Sequence, residues 1–374
     1  MKKGTLLLLT CLLVFSITAC NPTAVVTEEP TAPVVEREST AVEETAEPTA
    51  ETEMETKTES VEAADEKILV YISGPEGMVN KLEQAFEEQH GDVLEISIMG
   101  CGQLRTKVWT ESQAGQIEAD VFWGSNPLLY KKLDAVGFLE PLELKESDMI
   151  AEEFQVTDGN YALVSERYIT ILYNTNLMEG VELPNSWADL MDPAYDNMFA
   201  KADATQSSTA FAIATAFYEM FDGDSFFQGL KDNNIVLAKS NGAIASGVME
   251  GQFSLGIAPY DPVVRLNNKG EKEGFEVPLA AIWPEEGAIA MQRPIAIPVD
   301  DSRTPEQDAV AKAFVNFLVS KKAQTIMGSN GFSSVRTDMP NEHLPADAAV
   351  FTVNWDLGNE NEEAVTNDYT AIFH

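Results

Sequence analysis

Basic residues are scarce in this chain. Its 374 residues include 24 lysines and arginines against 61 aspartates and glutamates, which gives a formal net charge of −37. A protein that binds nucleic acid needs a basic face for the phosphates, so the composition excludes a general nucleic-acid binder. It also argues against docking of the folded part on anionic lipid. The charge of a small ligand stays open, because fields from distant surface charges fade over ~8 Å at physiological salt.

Cysteine and histidine are also rare, with three residues of each. Cys101 is the only cysteine outside the first 20 residues, so the folded part has no internal disulfide, which a domain of this size does not need. No two histidines have the spacing of a metal site, and nothing resembles a nucleophile elbow or a Gly-rich Walker loop. The sequence therefore argues against an enzyme, and we expect no cofactor.

Long apolar runs are absent except near the start. Lys2 and Lys3 precede an almost wholly apolar stretch over residues 5–17, which is too short for a bilayer, since a spanning helix takes ~20 apolar residues. This layout predicts a secretory signal peptide over residues 1–19. The stretch ends in Ile-Thr-Ala-Cys20, which resembles a bacterial lipobox and predicts lipidation at Cys20. A plain signal peptide with a chance cysteine is the alternative.

The segment after Cys20 lacks the residues that build a core. Residues 21–67 contain no Leu, Ile, Phe, Trp or Tyr and repeat Glu, Thr, Ala, Val and Pro. Such a composition buries too little apolar area to offset the loss of chain entropy. We therefore predict a disordered acidic tether over residues 20–67, attached to the membrane through Cys20.

The remainder, 68–374, reads as strands, glycine turns and helices in alternation. About 300 residues favour two lobes rather than one core. Three predicted strands end in glycine-containing loops at 73–77, 100–102 and 124–126. Parallel strands place such loops at one edge of the sheet, where ligands bind and where helix N-termini favour anions. Tight turns alone are the simpler explanation for any single loop.

Two further segments carry candidate binding residues. Ser207, Ser208 and Thr209 precede a strongly apolar helix predicted from Ala210. Hydroxyls and free amides at a helix start can hold an anion, although plain capping explains them equally well. Tyr260 and Asp261 follow a predicted strand, and they either reach a cleft or form a turn.

The order of motifs in 68–374 resembles the extracellular solute-binding proteins of ABC importers. Within that family it is similar to the branch with ferric-iron, thiamine, phosphonate and hexose-phosphate binders. The segments that carry the likeness are the opening strand with Ser73-Gly74, 100–104, 119–123, 137–142, Tyr173-Asn174, 184–190, 207–209, 284–287 and 294–297.

The resemblance implies an α/β, two-lobe periplasmic-binding-protein (type II, Venus-flytrap) fold with mixed, mainly parallel sheets and a hinge. We place lobe one at 68–166 plus 285–374 and lobe two at 167–284. The resemblance also implies a monomer that captures a small solute, closes over it and delivers it to an ABC permease driven by an ATPase.

The ligand follows less directly. Many ferric-iron members of the family carry two adjacent tyrosines near the position of Tyr260, and this chain has no Tyr-Tyr pair. The hydroxyls and amides instead suit a small organic or phosphorylated anion. Ferric iron, held by Glu76, Tyr173 or Tyr260 together with a bound anion, is the alternative. The predicted ligand-binding residues are Gly74, Glu76, Cys101, Gly102, Ser125, Ser207, Ser208, Thr209, Tyr260 and Asp261.

Two other classes remain as alternatives. A sensor that reports its ligand to a membrane kinase would have a similar sequence. A secreted hydrolase with a carboxylate-only site is the other, because acid pairs such as Glu285-Glu286 are present.

Overall fold

One mixed sheet organises residues 67–374, the part of the chain that the computed structural model describes. The predicted signal peptide, the lipidated Cys20 and nearly all of the predicted tether lie outside the described residues. Residues 67–374 form ten strands. They are β1 (Ile68–Ile72), β2 (Leu94–Ile98), β3 (Val121–Trp123), β4 (Ala162–Asn174), β5 (Phe199–Ala202), β6 (Val236–Ala238), β7 (Leu255–Pro259), β8 (Leu279–Ile282), β9 (Ala288–Ala296) and β10 (Val350–Thr352).

Eleven α-helices accompany these strands within the same described range. They are α1 (Glu76–His90), α2 (Cys101–Ala114), α3 (Pro127–Ala135), α4 (Ser208–Met220), α5 (Ser225–Asp232), α6 (Asn241–Met249), α7 (Asp261–Glu273), α8 (Pro305–Leu318), α9 (Lys321–Gly328), α10 (Trp355–Glu360) and α11 (Glu362–Phe373). In residues 67–374, every helix is too short or too polar to cross a membrane.

The strand order is β2-β1-β3-β9-β4-β7-β5-β6, with β10 beside β9 and β8 beside β4. Strands β1, β2 and β3 pair in parallel, as do β5, β6 and β7. The central strands β4 and β9 run antiparallel to each other, and each also pairs antiparallel with a neighbouring parallel group. The predicted α/β class with a mixed, mainly parallel sheet is confirmed.

Local sequence explains where several helices begin. Asn126 caps α3, with its side-chain oxygen accepting from the Leu128 N–H at 2.9 Å, and Pro127 takes the first helical position. Thr304 and Gln307 form a capping box at the start of α8. Cap residues of this kind are visible in the local sequence, so they mark the first turn of a helix directly.

The apolar side chains form two large buried clusters. The first cluster draws on residues 68–164 and 295–335. The second draws mainly on residues 169–291 and also includes Trp355, Val365 and Tyr369 from the C-terminal helices. The C-terminal segment from β10 onward therefore packs with the second cluster, although the sequence analysis places it in lobe one.

Candidate functional site

The carboxyl ends of β1 and β3 face the carboxyl end of β7 along the central strands β4 and β9. Ser73 follows β1, Ser125 follows β3, and Asp261 begins α7 just after β7. All three are buried. Three antiparallel pairings separate β3 from β7, so these strands run in opposite directions and their carboxyl ends point toward each other over the middle of β4 and β9.

Helix α2 begins earlier than predicted, and this changes the surroundings of Cys101. The sequence predicts a helix from about Gln103, but the first helical residue is Cys101. The Gln103 side chain accepts a hydrogen bond from the Gly100 backbone N–H at 3.1 Å, which fixes this early start. Cys101 is half-buried and lies in the first turn, where backbone amides have no helical partner.

The hydroxyl loop, residues 205–208 with Ser207 as the N-cap of α4, leads directly into Thr209, which lies in the first turn of α4 and belongs to the same site. Ser207 caps the helix, with its Oγ accepting from the Ala210 N–H at 3.3 Å. Thr209 is fully buried, and its Oγ1 lies 2.9 Å from the Oγ of Ser125. This bond joins the turn after β3 to α4, so two segments that are 84 residues apart in the chain share one polar cluster.

Two arginines from the central strands complete the cluster. Arg167 lies on β4, where its Nη2 donates to Thr209 Oγ1 at 3.3 Å and its Nη1 is 3.6 Å from Asp261 Oδ1. Arg293 lies on β9, opposite Ser165 of β4 and just beyond the carboxyl end of β3. The antiparallel pairing of β4 and β9 thus presents both guanidinium groups beside the loops of the parallel strands.

Arg293 is fully buried and pairs with no carboxylate among the described residues. Its Nη2 donates to the backbone oxygen of Ser73. The guanidinium carbon lies 4.9 Å from the ring centre of Trp123 and 5.3 Å from that of Phe332. Burial, together with the charge of Arg167, lowers the pKa of Arg293 to about 10, so the group still carries its charge at neutral pH.

Several buried polar atoms around Arg293 have no hydrogen-bond partner within the described part of the chain. Buried polar groups in proteins are nearly always hydrogen-bonded, because an unmade bond costs about 1–3 kcal/mol. Most of these atoms can donate a hydrogen bond, and several belong to the two guanidinium groups themselves. The cluster therefore suits an anion with several acceptor oxygens. They are Ser73 Oγ, Trp123 Nε1, Arg167 Nε, Arg293 Nε and Nη1, and the single acceptor Asp261 Oδ1.

The thiol of Cys101 responds to the same charges. Burial by itself would raise its pKa, because burial disfavours a charged sulfur. The positive charges of Arg167 and Arg293 act in the opposite direction. The hydroxyls of Ser125 and Ser73 also favour the thiolate, and the net result lowers the pKa of Cys101 to about 7.

A surface cavity of ≈ 420 Å³ lies between α2 and the start of α4. Gly102, Ser207 and Ser208 line it, together with Arg105 from the second turn of α2. A Cβ added at Gly102 would lie 2.5 Å from the backbone oxygen of Gln206. The start of α2 therefore approaches the hydroxyl loop as closely as a glycine allows.

The remaining predicted residues lie at or outside the edge of the cluster. Gly74 follows Ser73, and Glu76 is exposed at the start of α1. Tyr260 is half-buried and packs on Trp283, with ring centres 5.2 Å apart, while Tyr173 packs against the second apolar cluster. No hydrogen bond, ion pair or ring contact within residues 67–374 joins Glu76, Tyr173 and Tyr260, the residues of the ferric alternative.

The sequence analysis missed Arg167 and Arg293, which are the charged centre of the cluster. A signal was available, because each arginine interrupts a long apolar run. Apolar runs alone place the starts of the corresponding strands at Ile169 and Ile295, just after the arginines, whereas β4 and β9 begin several residues earlier. A charged residue inside a buried strand is rare unless it is paired or functional.

Known proteins with similar sequences include solute-binding proteins. An uncharacterised protein of Haemophilus influenzae is 25% identical over 292 residues, which cover 75% of this chain and 80% of that protein. The "Fe(3+)-binding periplasmic protein" of Serratia marcescens is 23% identical over 272 residues, covering 72% of this chain and 78% of that protein.

Solved structures show the same fold. Iron-bound HitA from Pseudomonas aeruginosa has a TM-score of 0.69 at 18% identity, covering 83% of this chain and 100% of its own. AfuA from Actinobacillus pleuropneumoniae, with fructose-6-phosphate bound, has a TM-score of 0.70 at 21% identity, covering 82% and 98%.

These similarities agree with the motif order noted in the sequence. They also agree with the sheet, in which the polar cluster lies beyond the carboxyl ends of parallel strands. The family model "Bacterial extracellular solute-binding protein" matches residues 119–361, and this chain belongs to that family.

Proposed function

We propose that the solute is a small organic or phosphorylated anion, bound by Arg167 and Arg293 beyond the carboxyl ends of the parallel strands. The observation that carries this proposal is the buried Arg293, whose Nε and Nη1 are unpartnered and which has no carboxylate within the described residues. An isolated buried cation is costly, and a bound anion with acceptor oxygens would offset that cost.

The charge of the cluster supports a ligand with one or two negative charges. Arg167 and Arg293 contribute two positive charges, and Arg265 also forms an ion pair with Asp261. Asp261 supplies one negative charge. The sum leaves a positive excess at this place, although the chain as a whole is strongly acidic. Ser73 and Ser125 add hydroxyls that can donate to phosphate or carboxylate oxygens.

The relatives include binders of iron and of a sugar phosphate, and the cluster favours the second kind of ligand. Two guanidinium groups would repel a bare ferric ion. Ferric iron is a hard cation that prefers several anionic oxygens, and the two tyrosines of the ferric alternative pack elsewhere. We therefore rank ferric iron second.

For the transport role, we propose two lobes, one built on each large apolar cluster, with β4 and β9 as the strands that pass between them. The bond between Ser125 and Thr209 would then join the lobes in a closed form. Solute-binding proteins of ABC importers bind small ligands and work with a membrane permease and its ATPase. A monomer, held outside the cytoplasm by lipid on Cys20, would serve this role.

Thermal denaturation in the presence of candidate solutes tests the ligand class. The solutes are inorganic phosphate, fructose 6-phosphate, a phosphonate, free fructose and ferric citrate. At a hundred times its Kd, a ligand adds ~2.7 kcal/mol, which corresponds to a rise in Tm of roughly 5 °C for a folded part of this size. We expect the rise with phosphorylated or phosphonate compounds and not with free fructose. A rise with ferric citrate alone would overturn the ligand class and leave the family unchanged.

Two buried arginines provide the test and its matched control: Arg293 in the site and Arg336 outside it. Arg293→Met should abolish the rise in Tm that the anion produces in the unmodified protein. Arg336 is also buried, but it binds Glu146 and Asp338 and does not contact the site. Arg336→Met should therefore keep the anion-dependent rise, whatever its own Tm.

A further inference from the structure

Cys101 occupies a position that the transport role alone does not require. It is the first residue of α2 and follows β2, which pairs with β1 up to Ile98 opposite Ile72, so the turn that leads into Cys101 lies beside Ser73. The charges of Arg167 and Arg293 and the hydroxyls of Ser73 and Ser125 act on its thiol. Arg167, Arg293 and Ser73 also carry unpartnered, buried polar atoms that point to a ligand. The thiol and the solute therefore face one set of donors.

The other charged and titratable groups around Cys101 come from four elements. Arg167 is on β4, Arg293 on β9, Tyr130 on α3 and Asp261 on α7. Burial raises the pKa of Tyr130 far above neutral, and Arg293 keeps its charge at neutral pH. The thiol is thus the group of this cluster that changes its charge near neutral pH.

We propose that Cys101 is an ionisable and chemically reactive part of the anion site, where its thiolate and the anionic solute compete for Arg167 and Arg293. The competition between thiolate and solute rests on the proposed function. The reactivity of the thiol does not rest on it, because it depends on the sulfur and the two arginines alone.

The chemistry that reveals the thiolate is alkylation. The thiolate sulfur attacks the methylene carbon of iodoacetate, a carbon–sulfur bond forms, the carbon–iodine bond breaks and iodide leaves. The thiol proton is released to solvent before the attack. A positive field around the sulfur attracts the anionic reagent iodoacetate relative to its neutral analogue iodoacetamide.

The experiment measures the rate of modification of Cys101 in the full chain, by peptide mass spectrometry, between pH 5.5 and 9. We expect half-maximal reactivity near pH 7 rather than near the ~8.5 of a free cysteine. We also expect iodoacetate to be favoured over iodoacetamide by ~10-fold, relative to the same ratio measured on glutathione. In Arg293→Met, the midpoint should rise and the preference for iodoacetate should fall.

A midpoint at or above pH 8.5, without any preference for iodoacetate, would overturn the reactive thiolate. The competition is tested by adding inorganic phosphate or fructose 6-phosphate, whichever binds in the thermal experiment. Either should slow alkylation at least ~10-fold when nine-tenths or more of the sites are occupied. An unchanged rate at saturation would overturn the competition while leaving anion binding intact. If neither compound binds, the proposed function fails, and the reagent preference still decides the reactivity of the thiol.

Discussion

At the scale of single residues, Arg293 and Arg336 show how the surroundings decide the role of a buried cation. Arg336 donates to Asp338 at 2.8 and 3.1 Å and also binds Glu146, so its charge is compensated inside the protein. Arg293 has a backbone oxygen and two aromatic rings as neighbours. Cation–π contacts offset only part of the desolvation of a charge, about 2 kcal/mol at a dry site.

This contrast predicts opposite effects on stability. Arg293→Met removes a buried charge that pairs with no carboxylate among the described residues, so the free energy of unfolding without ligand should stay the same or rise. Arg336→Met leaves Glu146 without this partner and Asp338 with Lys321 alone, so it should lower the free energy of unfolding by about 1–3 kcal/mol. Urea denaturation of the two variants in anion-free buffer measures both values. A loss of more than ~2 kcal/mol in Arg293→Met would mean that the arginine is mainly structural.

At the scale of elements, cap residues and glycine turns predict helix starts well, but strand starts poorly. Asn126-Pro127 and Thr304 mark the first turns of α3 and α8 correctly. The starts of β4 and β9 are missed because both strands continue through charged residues, which a search for apolar runs excludes. The start of α2 is predicted two residues too late for a different reason. The N-cap is Gly100, whose backbone N–H donates to the Gln103 side chain three residues later, and a glycine gives no side-chain cap signal.

The approach of α2 to the hydroxyl loop predicts a role for Gly102. A methyl group there would lie 2.5 Å from the Gln206 backbone oxygen, so Gly102→Ala must push α2 and the loop apart. We expect anion affinity to fall ~10-fold or more, since closure of the site is coupled to binding, while the Tm without ligand changes little. Gly77→Ala is the matched control, because a Cβ at Gly77 meets nothing within 4 Å. Equal affinity in the two variants would show that this contact is not made in the bound form.

Strand β4 also carries a buried acid, which predicts a pH dependence of stability. Burial raises the pKa of Glu166 to about 7. A carboxyl whose pKa is higher in the folded protein than in the unfolded chain stabilises the fold in its neutral form. This contribution is complete below the pKa of the unfolded chain, near 4.3, and is lost as the pH rises to about 7. The loss amounts to ~3 kcal/mol at most.

Glu166→Gln should remove this dependence, because the amide keeps the shape and does not ionise. Unfolding free energies at pH 5 and pH 7.5 should therefore differ less in the variant than in the unmodified protein. Parallel pH profiles for the two proteins would show that Glu166 titrates as an ordinary surface acid.

At the scale of the whole molecule, the sequence predicts the fold class, and the sheet order explains the position of the site. Strand-helix alternation indicates a mainly parallel sheet. The antiparallel strands β4 and β9 turn the two parallel groups toward each other, so their carboxyl ends meet at the site. The C-terminal helices are different. Tyr369 packs in the second apolar cluster and its hydroxyl accepts a hydrogen bond from the buried Lys201 at 2.7 Å, a contact across 168 residues that no local pattern encodes.

The two large apolar clusters contribute to one polar site, which predicts a change of molecular shape when the anion binds. If the clusters belong to two lobes that close over the solute, small-angle scattering should show a smaller radius of gyration when the anion is added. The same addition to Arg293→Met should change nothing. An unchanged radius of gyration in the unmodified protein at saturating anion would argue against hinge closure.

The most direct test of the anion site is calorimetric titration of the unmodified protein and Arg293→Met with the anion that raises the Tm most. Two charged hydrogen bonds are lost in the variant, at about 1.5–3 kcal/mol each. The predicted result is a measurable Kd for the unmodified protein and a Kd at least ~100-fold weaker for the variant. Equal affinity in the two proteins would contradict the account, because the buried arginine would then not be what holds the solute.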